Sequence, residues 1–319
     1  MLRAVFFALC VACAFFTSAA NALLLYPKGQ IVGPWYKAKV ALNEAVEGGQ
    51  AQTCDQVASV ALVEDIRKAL LAIKSEAMSS DGSRTDYSSV GRSATYRAYL
   101  GLVQQLGGVS LGQLEPRERK ACLINLYNCL IVHAIVGGLL NEKGGTLARM
   151  KLYASAAYNI GGSLFSLNDL ENGILRGNRR SAVPLTGLPF AEPDDPRRAL
   201  ALDCDARIHF ALNCGALGCP PIGVYSADDL DSQLDVATES FLDGSVVLDA
   251  PSNTVTLSML FSWYRQDFGA SDADVLAWVR LHASPELRAK LAAFETATAA
   301  AGAVPKIAYA TYDWRLNSL

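Results

Sequence analysis

Apolar positions recur at helical spacing at Val40, Leu42 and Val46, and again at Val57, Val60, Ile66, Leu70 and Ile73, with Gly48 and Gly49 between the two sets. The pattern predicts two helices, making a helical N-terminal extension over residues 23–80. Ser79–Arg84 is a polar break whose Asp81 and Gly82 mark a turn, so the main domain is placed over residues 85–319. Within it, Glu115 and Pro116 open a helix that Gly137 and Gly138 close. Cys122, Asn125, Asn128, Cys129 and His133 fall on one side of that helix, while Leu123, Leu130 and Ala134 face away and Ile124, Ile131 and Ile135 form a third stripe. A helix apolar on its remaining faces is buried, and its polar seam is either satisfied internally or turned toward a cleft.

Ser166–Arg176, SLNDLENGILR, reads as a capped helix in which Ser166 or Asn168 caps and Asp169 and Glu171 occupy the first turn. Val224–Leu242 predicts an acidic helix, and Ser245–Leu257 alternates around Pro251–Asn253, a hairpin pattern. The Ala-rich tract Leu291–Ala303 predicts a surface helix without chemistry. Arg207–Pro221, RIHFALNCGALGCPP, reads as a buried strand, Ile208–Asn213, ending in Cys-Gly. On such a strand His209, Ala211 and Asn213 share one face, and Phe210, Leu212 and Cys214 the other. The expected fold is α/β or α+β, with a central buried helix packed on a small sheet and the helical N-terminal extension attached.

Composition adds the compartment. Arg3 precedes the uncharged run Ala4–Phe16, and small residues end at Ala20, Asn21 and Ala22, which is the pattern of a secretory signal peptide over residues 1–22. The run is about half the roughly 20 residues a bilayer span requires. The expectation is a soluble secreted protein, periplasmic if bacterial, with no membrane span after signal cleavage. The formal charge of -3 and the scattered basic residues speak against nucleic acid as a partner and leave an unknown small molecule or peptide. Of eight cysteines, Cys10 and Cys13 fall in the leader, and Cys54, Cys122, Cys129, Cys204, Cys214 and Cys219 remain, so an oxidising compartment permits one or two bridges.

Seven segments resemble the family known as domain of unknown function number 547. They are DYSSVGRSATYRAYL (Asp86–Leu100), INLYNCLIVHAI (Ile124–Ile135), SLNDLENGILR, RIHFALNCGALGCPP, VYSADDLDSQLD (Val224–Asp235), LSMLFSWYRQDFG (Leu257–Gly269) and YDWRLN (Tyr312–Asn317). Their order and spacing agree over roughly Thr85–Leu319. The family carries no agreed reaction, so the resemblance implies a domain and no chemistry. It commonly has an aromatic where this chain has Cys122, which implies that Cys122 is a core substitution.

Two readings of the polar residues stay open. In the first, the domain is a thiol-dependent hydrolase or acyl transferase: Cys214 attacks, His133 is the base, and Asn125 or Glu171 orients the imidazole, with His209 beside them on the opposite strand face. A polar-seamed helix against a strand ending in Cys-Gly is similar to the papain and transglutaminase-like arrangement, at the level of fold analogy. In the second, the domain is a non-catalytic binding or structural module and the same residues form an internal polar network. No metal or cofactor is expected, because the spacing His209-x4-Cys214-x4-Cys219 is not that of a ligand pair. Gly215 and Gly218 allow a tight loop in which Cys214 and Cys219 reach the roughly 4.4–6.8 Å between α-carbons that a bridge requires.

Overall fold

Local signals set most of the helices. The computed structural model describes residues 24–25, 31–32, 39–43, 54–140, 145–182 and 187–319. The expected leader over residues 1–22 lies outside them, as does Val46. Asp55 caps α1 (Gln56–Ala77) by accepting from the Ala58 amide, and Asp86 caps α2 (Tyr87–Arg92) through the Ser89 amide. Ser93 then caps α3 (Ala94–Val103) through Tyr96. The central helix α4 (Pro116–Val136) starts with proline in its first turn and with a capping box in which Glu118 accepts from the Glu115 amide. These boundaries are the ones that Glu115, Pro116 and Gly137 predict.

α4 is long and apolar enough to cross a bilayer, yet 89% of its most apolar window is buried inside the protein, as in a core helix. Leu123, Ile124, Leu130, Ile131 and Ala134 have no exposed surface. Burying each such aliphatic side chain is worth about 1.5–3 kcal/mol, which makes α4 the axis of the first core. Leu62, Ile66, Leu70 and Ile73 of α1 join that core, so the N-terminal helix packs on the domain it precedes. α4 also packs on a small sheet in which β4 (Ala156–Ile160) pairs antiparallel with β5 (Ser163–Ser166) and parallel with β3 (Val40–Ala41). Val40–Ala41 therefore corrects the first expected helix. Asn43 holds this edge by accepting from the Asn159 amide and donating to the Val103 and Asn159 carbonyls. Leu24–Leu25 and Ile31–Val32 (β1 and β2) make a separate antiparallel pair.

After α5 (Thr146–Ser155) and the first sheet, the chain builds a second core from α6 (Leu230–Ser245), α7 (Met259–Trp263), α8 (Arg265–Phe268), α9 (Asp272–His282) and α10 (Pro285–Ala300). The expected hairpin is present as β6 (Val247–Asp249) and β7 (Thr254–Leu257), and β8 (Lys306–Tyr309) adds in parallel to β7. The architecture is α+β: two small three-stranded sheets, each beside helices, with one long helix mostly buried.

The expected strand at Ile208–Asn213 is a correction. Ala206–Phe210 is a 3-10 turn that Asp205 caps by accepting from the Arg207 amide. Ile208, Ala211 and Leu212 enter the first core while Ala206 and Phe210 enter the second. The apolar run reflects a segment wedged between two cores, and not the two faces of a sheet.

Candidate functional site

The SLNDLENGILR segment opens with the Asp169 carboxylate accepting from the Ser166 amide and hydroxyl, and with Lys39 Nζ 2.5 Å from the same carboxylate. It then widens into a π-helix over Asp169–Leu175, with Arg176 N bonding Glu171 O at 2.9 Å, five residues back. Such turns occur frequently at functional sites. Gly173 lies where a Cβ would meet the Phe190 ring at 2.5 Å, so glycine is what lets the turn seat against Phe190. The wide turn directs Glu171 inward, where it is 4% exposed. Its carboxylate accepts from Tyr264 at 2.6 Å and from Tyr127 at 3.1 Å, and the Tyr153 hydroxyl lies 3.2 Å from that of Tyr127.

Tyr264 links this carboxylate to a second group. Its ring stacks on His209 with centroids 4.0 Å apart and takes the Arg176 guanidinium 4.7 Å above it. His209 Nε2 lies 2.8 Å from Asp267, whose carboxylate also accepts from Arg176 at 2.6 and 3.0 Å and from Arg179 at 2.7 Å. Burial works against the Asp267 anion, but the bonds from His209 and Arg176 outweigh it and hold the carboxyl well below the usual range. Burial pushes His209 down, and the Asp267 bond offsets part of that shift.

The third part is the cysteine pair. The sulfurs of Cys214 and Cys219 are at disulfide distance, with α-carbons 6.2 Å apart. Gly215 carries the loop in a left-handed conformation, φ 76°, and a Cβ there would meet Ile135 at 2.7 Å. Cys219 Sγ receives the Cys214 amide at 3.0 Å and the Tyr312 hydroxyl at 3.1 Å. Arg149, 3% exposed, donates to the Cys214 carbonyl at 3.2 Å and the Trp314 carbonyl at 2.6 Å, and no described carboxylate pairs with it. Burial lowers its pKa.

Asn125 and Asn128 both act on backbone. Asn125 donates to the Tyr225 carbonyl at 2.7 Å and accepts from the Tyr225 amide at 2.9 Å. Asn128 clamps the Ala211 carbonyl at 3.0 Å and the Asn213 amide at 2.9 Å. His133, on the same seam, bonds Tyr158 through Nδ1 at 3.1 Å and meets the edges of Tyr96 and Tyr99, and burial pushes its pKa down to about 4. Cys214 has Cys219 and Tyr312 as its side-chain partners, so it and His133 belong to different clusters. The chain brings Glu171 and His209 together, through Tyr264. Burial pushes the Cys122 and Cys129 thiols up to about 12.

Sequence reasoning missed Arg149, Tyr127, Tyr153, Tyr264, Asp267 and Tyr312. Tyr264 and Asp267 lie in LSMLFSWYRQDFG and Tyr312 in YDWRLN, two segments that carry the family resemblance, and this was the available signal. An open groove of about 500 Å³ beside Leu164, Asp195 and Arg197 touches this site only through Lys39, which lines it and also pairs with Asp169. Among the described residues no group of three or more His, Cys, Asp or Glu side chains is placed to hold a metal ion.

Residues 111–242 match the family model described as "Protein of unknown function, DUF547". The match takes in α4, Arg149, the π-helix and both cysteines of the pair, while Tyr264, Asp267 and Tyr312 follow it in the chain. No curated protein and no solved structure matches the chain.

Proposed function

We propose, for a chain whose residues 111–242 carry the domain described as DUF547, that it is an exported binding or structural module whose buried polar residues are a framework and not an acyl-transfer centre. One observation carries the reading: each side chain considered for catalysis has internal partners. Asn125 clamps Tyr225, His133 bonds Tyr158, Glu171 lies between two tyrosine hydroxyls, His209 bonds Asp267 and Cys214 is at disulfide distance from Cys219. Buried polar groups engaged in this way fix a fold, whereas a nucleophile needs a free thiol within reach of a base.

Export is supported by the leader pattern of residues 1–22 and by the cysteine pair, which an oxidising compartment favours. The partner surface in this reading is the aromatic patch of Trp263, Tyr312 and Trp314, whose ring centroids lie 4.7–5.3 Å apart, with Trp314 41% exposed. Clustered aromatic faces suit a peptide or a small apolar molecule.

The test is acylation of the reduced full chain by p-nitrophenyl acetate, read by intact mass. The expected result is no acyl adduct on Cys214. An adduct that disappears in both Cys214→Ala and His133→Ala would replace this reading with the hydrolase. For export, the protein recovered outside the cytoplasm is expected to begin at Leu23, and a retained leader counts against it.

A further inference from the structure

The two sulfurs are not equivalent. Cys219 Sγ receives two donors, the Cys214 amide at 3.0 Å and the Tyr312 hydroxyl at 3.1 Å, whereas among the described residues Cys214 Sγ has the Tyr312 hydroxyl alone, at 3.6 Å. Beside them Arg149 is a buried cation whose hydrogen-bond partners are two backbone carbonyls and whose Nε has no partner among the described residues. A buried guanidinium without an anion is costly, and a structural disulfide supplies none. A thiolate formed in the loop whose Cys214 carbonyl Arg149 holds would bring a negative charge next to it. The two cysteines, each 8% exposed, form a small cluster with Ala216 that joins the first core through Tyr153 and the second through Tyr312.

From this we infer that Cys214–Cys219 is a redox-active disulfide that exchanges with a dithiol of an exported polypeptide. A thiolate of that dithiol attacks Cys214 Sγ and forms a mixed disulfide, while the bond to Cys219 breaks and Cys219 leaves as the thiolate that the Cys214 amide and the Tyr312 hydroxyl stabilise, with the Arg149 cation held nearby on the Cys214 carbonyl. The second thiol of the partner then attacks the partner's own sulfur in the mixed disulfide and expels Cys214. Two electrons and two protons pass to the pair, which ends as two thiols, and the partner ends as a disulfide. Leaving-group stabilisation sets the direction of attack, because exchange is faster when the departing sulfur is the more stable thiolate. This activity goes beyond the framework reading and rests on it only for the export that supplies its partner.

The test uses the full oxidised chain with dithiothreitol as the dithiol, and alkylation at timed intervals followed by intact mass. The pair is expected to open while the near-ultraviolet circular dichroism stays native. Tyr312→Phe removes one donor to the departing sulfur and is expected to slow opening about tenfold with the fold unchanged, since a hydrogen bond to a charged group is of that size. Cys219→Ser, incubated with glutathione disulfide, is expected to accumulate a mixed disulfide at Cys214 that it cannot resolve. Opening of the pair only in step with loss of the native signal would overturn the inference, as would a Tyr312→Phe variant that opens at the wild-type rate.

Discussion

The Asp267 carboxylate receives His209 at 2.8 Å and Arg176 at 2.6 and 3.0 Å while its own side chain is fully buried, so one anion neutralises the interior of the junction between the two cores. Asp267→Asn keeps the shape and removes the charge, leaving the buried Arg176 without its anion. The expected loss is about 3–5 kcal/mol, the usual cost of breaking a buried pair from one side. Urea denaturation checks it; a change under about 1 kcal/mol would mean that the junction is not held by this group.

Asn128 ties α4 to the segment that carries the cysteines. Asn128→Ala removes the partner of the Ala211 carbonyl and of the Asn213 amide, both buried. At about 1–3 kcal/mol for each of the two buried groups left unmade, the expected loss is about 2–6 kcal/mol. Asn125→Ala is expected to behave alike through Tyr225. A nucleophile-orienting role would instead leave stability unchanged, and the same denaturation curves separate the two.

How far the chain could be read from its sequence depends on the range of the signal. The bounds of α4 follow from Glu115, Pro116 and Gly137, all within one turn of its ends, and they match. The hairpin at Val247–Leu257 follows from alternation and from the turn residues between its strands. The alternation at Ile208–Asn213 predicts a strand, but its apolar residues feed two cores, a distinction that no local period carries. The seam of α4 was visible, but the use of Asn125 depends on Tyr225, one hundred residues later. His209 needs Asp267, 58 residues away, and the cysteine pair needs Tyr312 from the C-terminal segment. A local pattern marks these residues as polar and buried without naming their partners.

The π-helix rests on the absence of a side chain at residue 173. Gly173→Ala puts a methyl group 2.5 Å from the Phe190 ring, which has no exposed surface and nowhere to retreat. Overpacking of this kind costs about 1–3 kcal/mol. Restoring stability with the double change Gly173→Ala and Phe190→Leu would tie the cost to that contact, and failure to restore any of it would place the cost elsewhere.

Acid should weaken the fold well before its ordinary carboxylates titrate. Burial holds the His133 pKa at about 4 in the folded chain, against 6.5 when it is free, so between these values the unfolded chain binds a proton that the folded chain does not. The contribution of neutral His133 is therefore complete above about pH 6.5 and declines as the pH falls toward 4. Allowing for its partial exposure, the loss is about 2 kcal/mol. His209 shifts the same way through burial, in spite of the Asp267 bond, and adds to the decline. Asp267, held well below the usual carboxylate range, loses its contribution only at still lower pH. Urea midpoints at pH 7.0, 5.5 and 4.5 should fall in that order, and His133→Phe should flatten the slope. Equal midpoints at the three pH values would show that His133 takes up its proton in the folded chain, against the burial among Tyr96, Tyr99 and Tyr158.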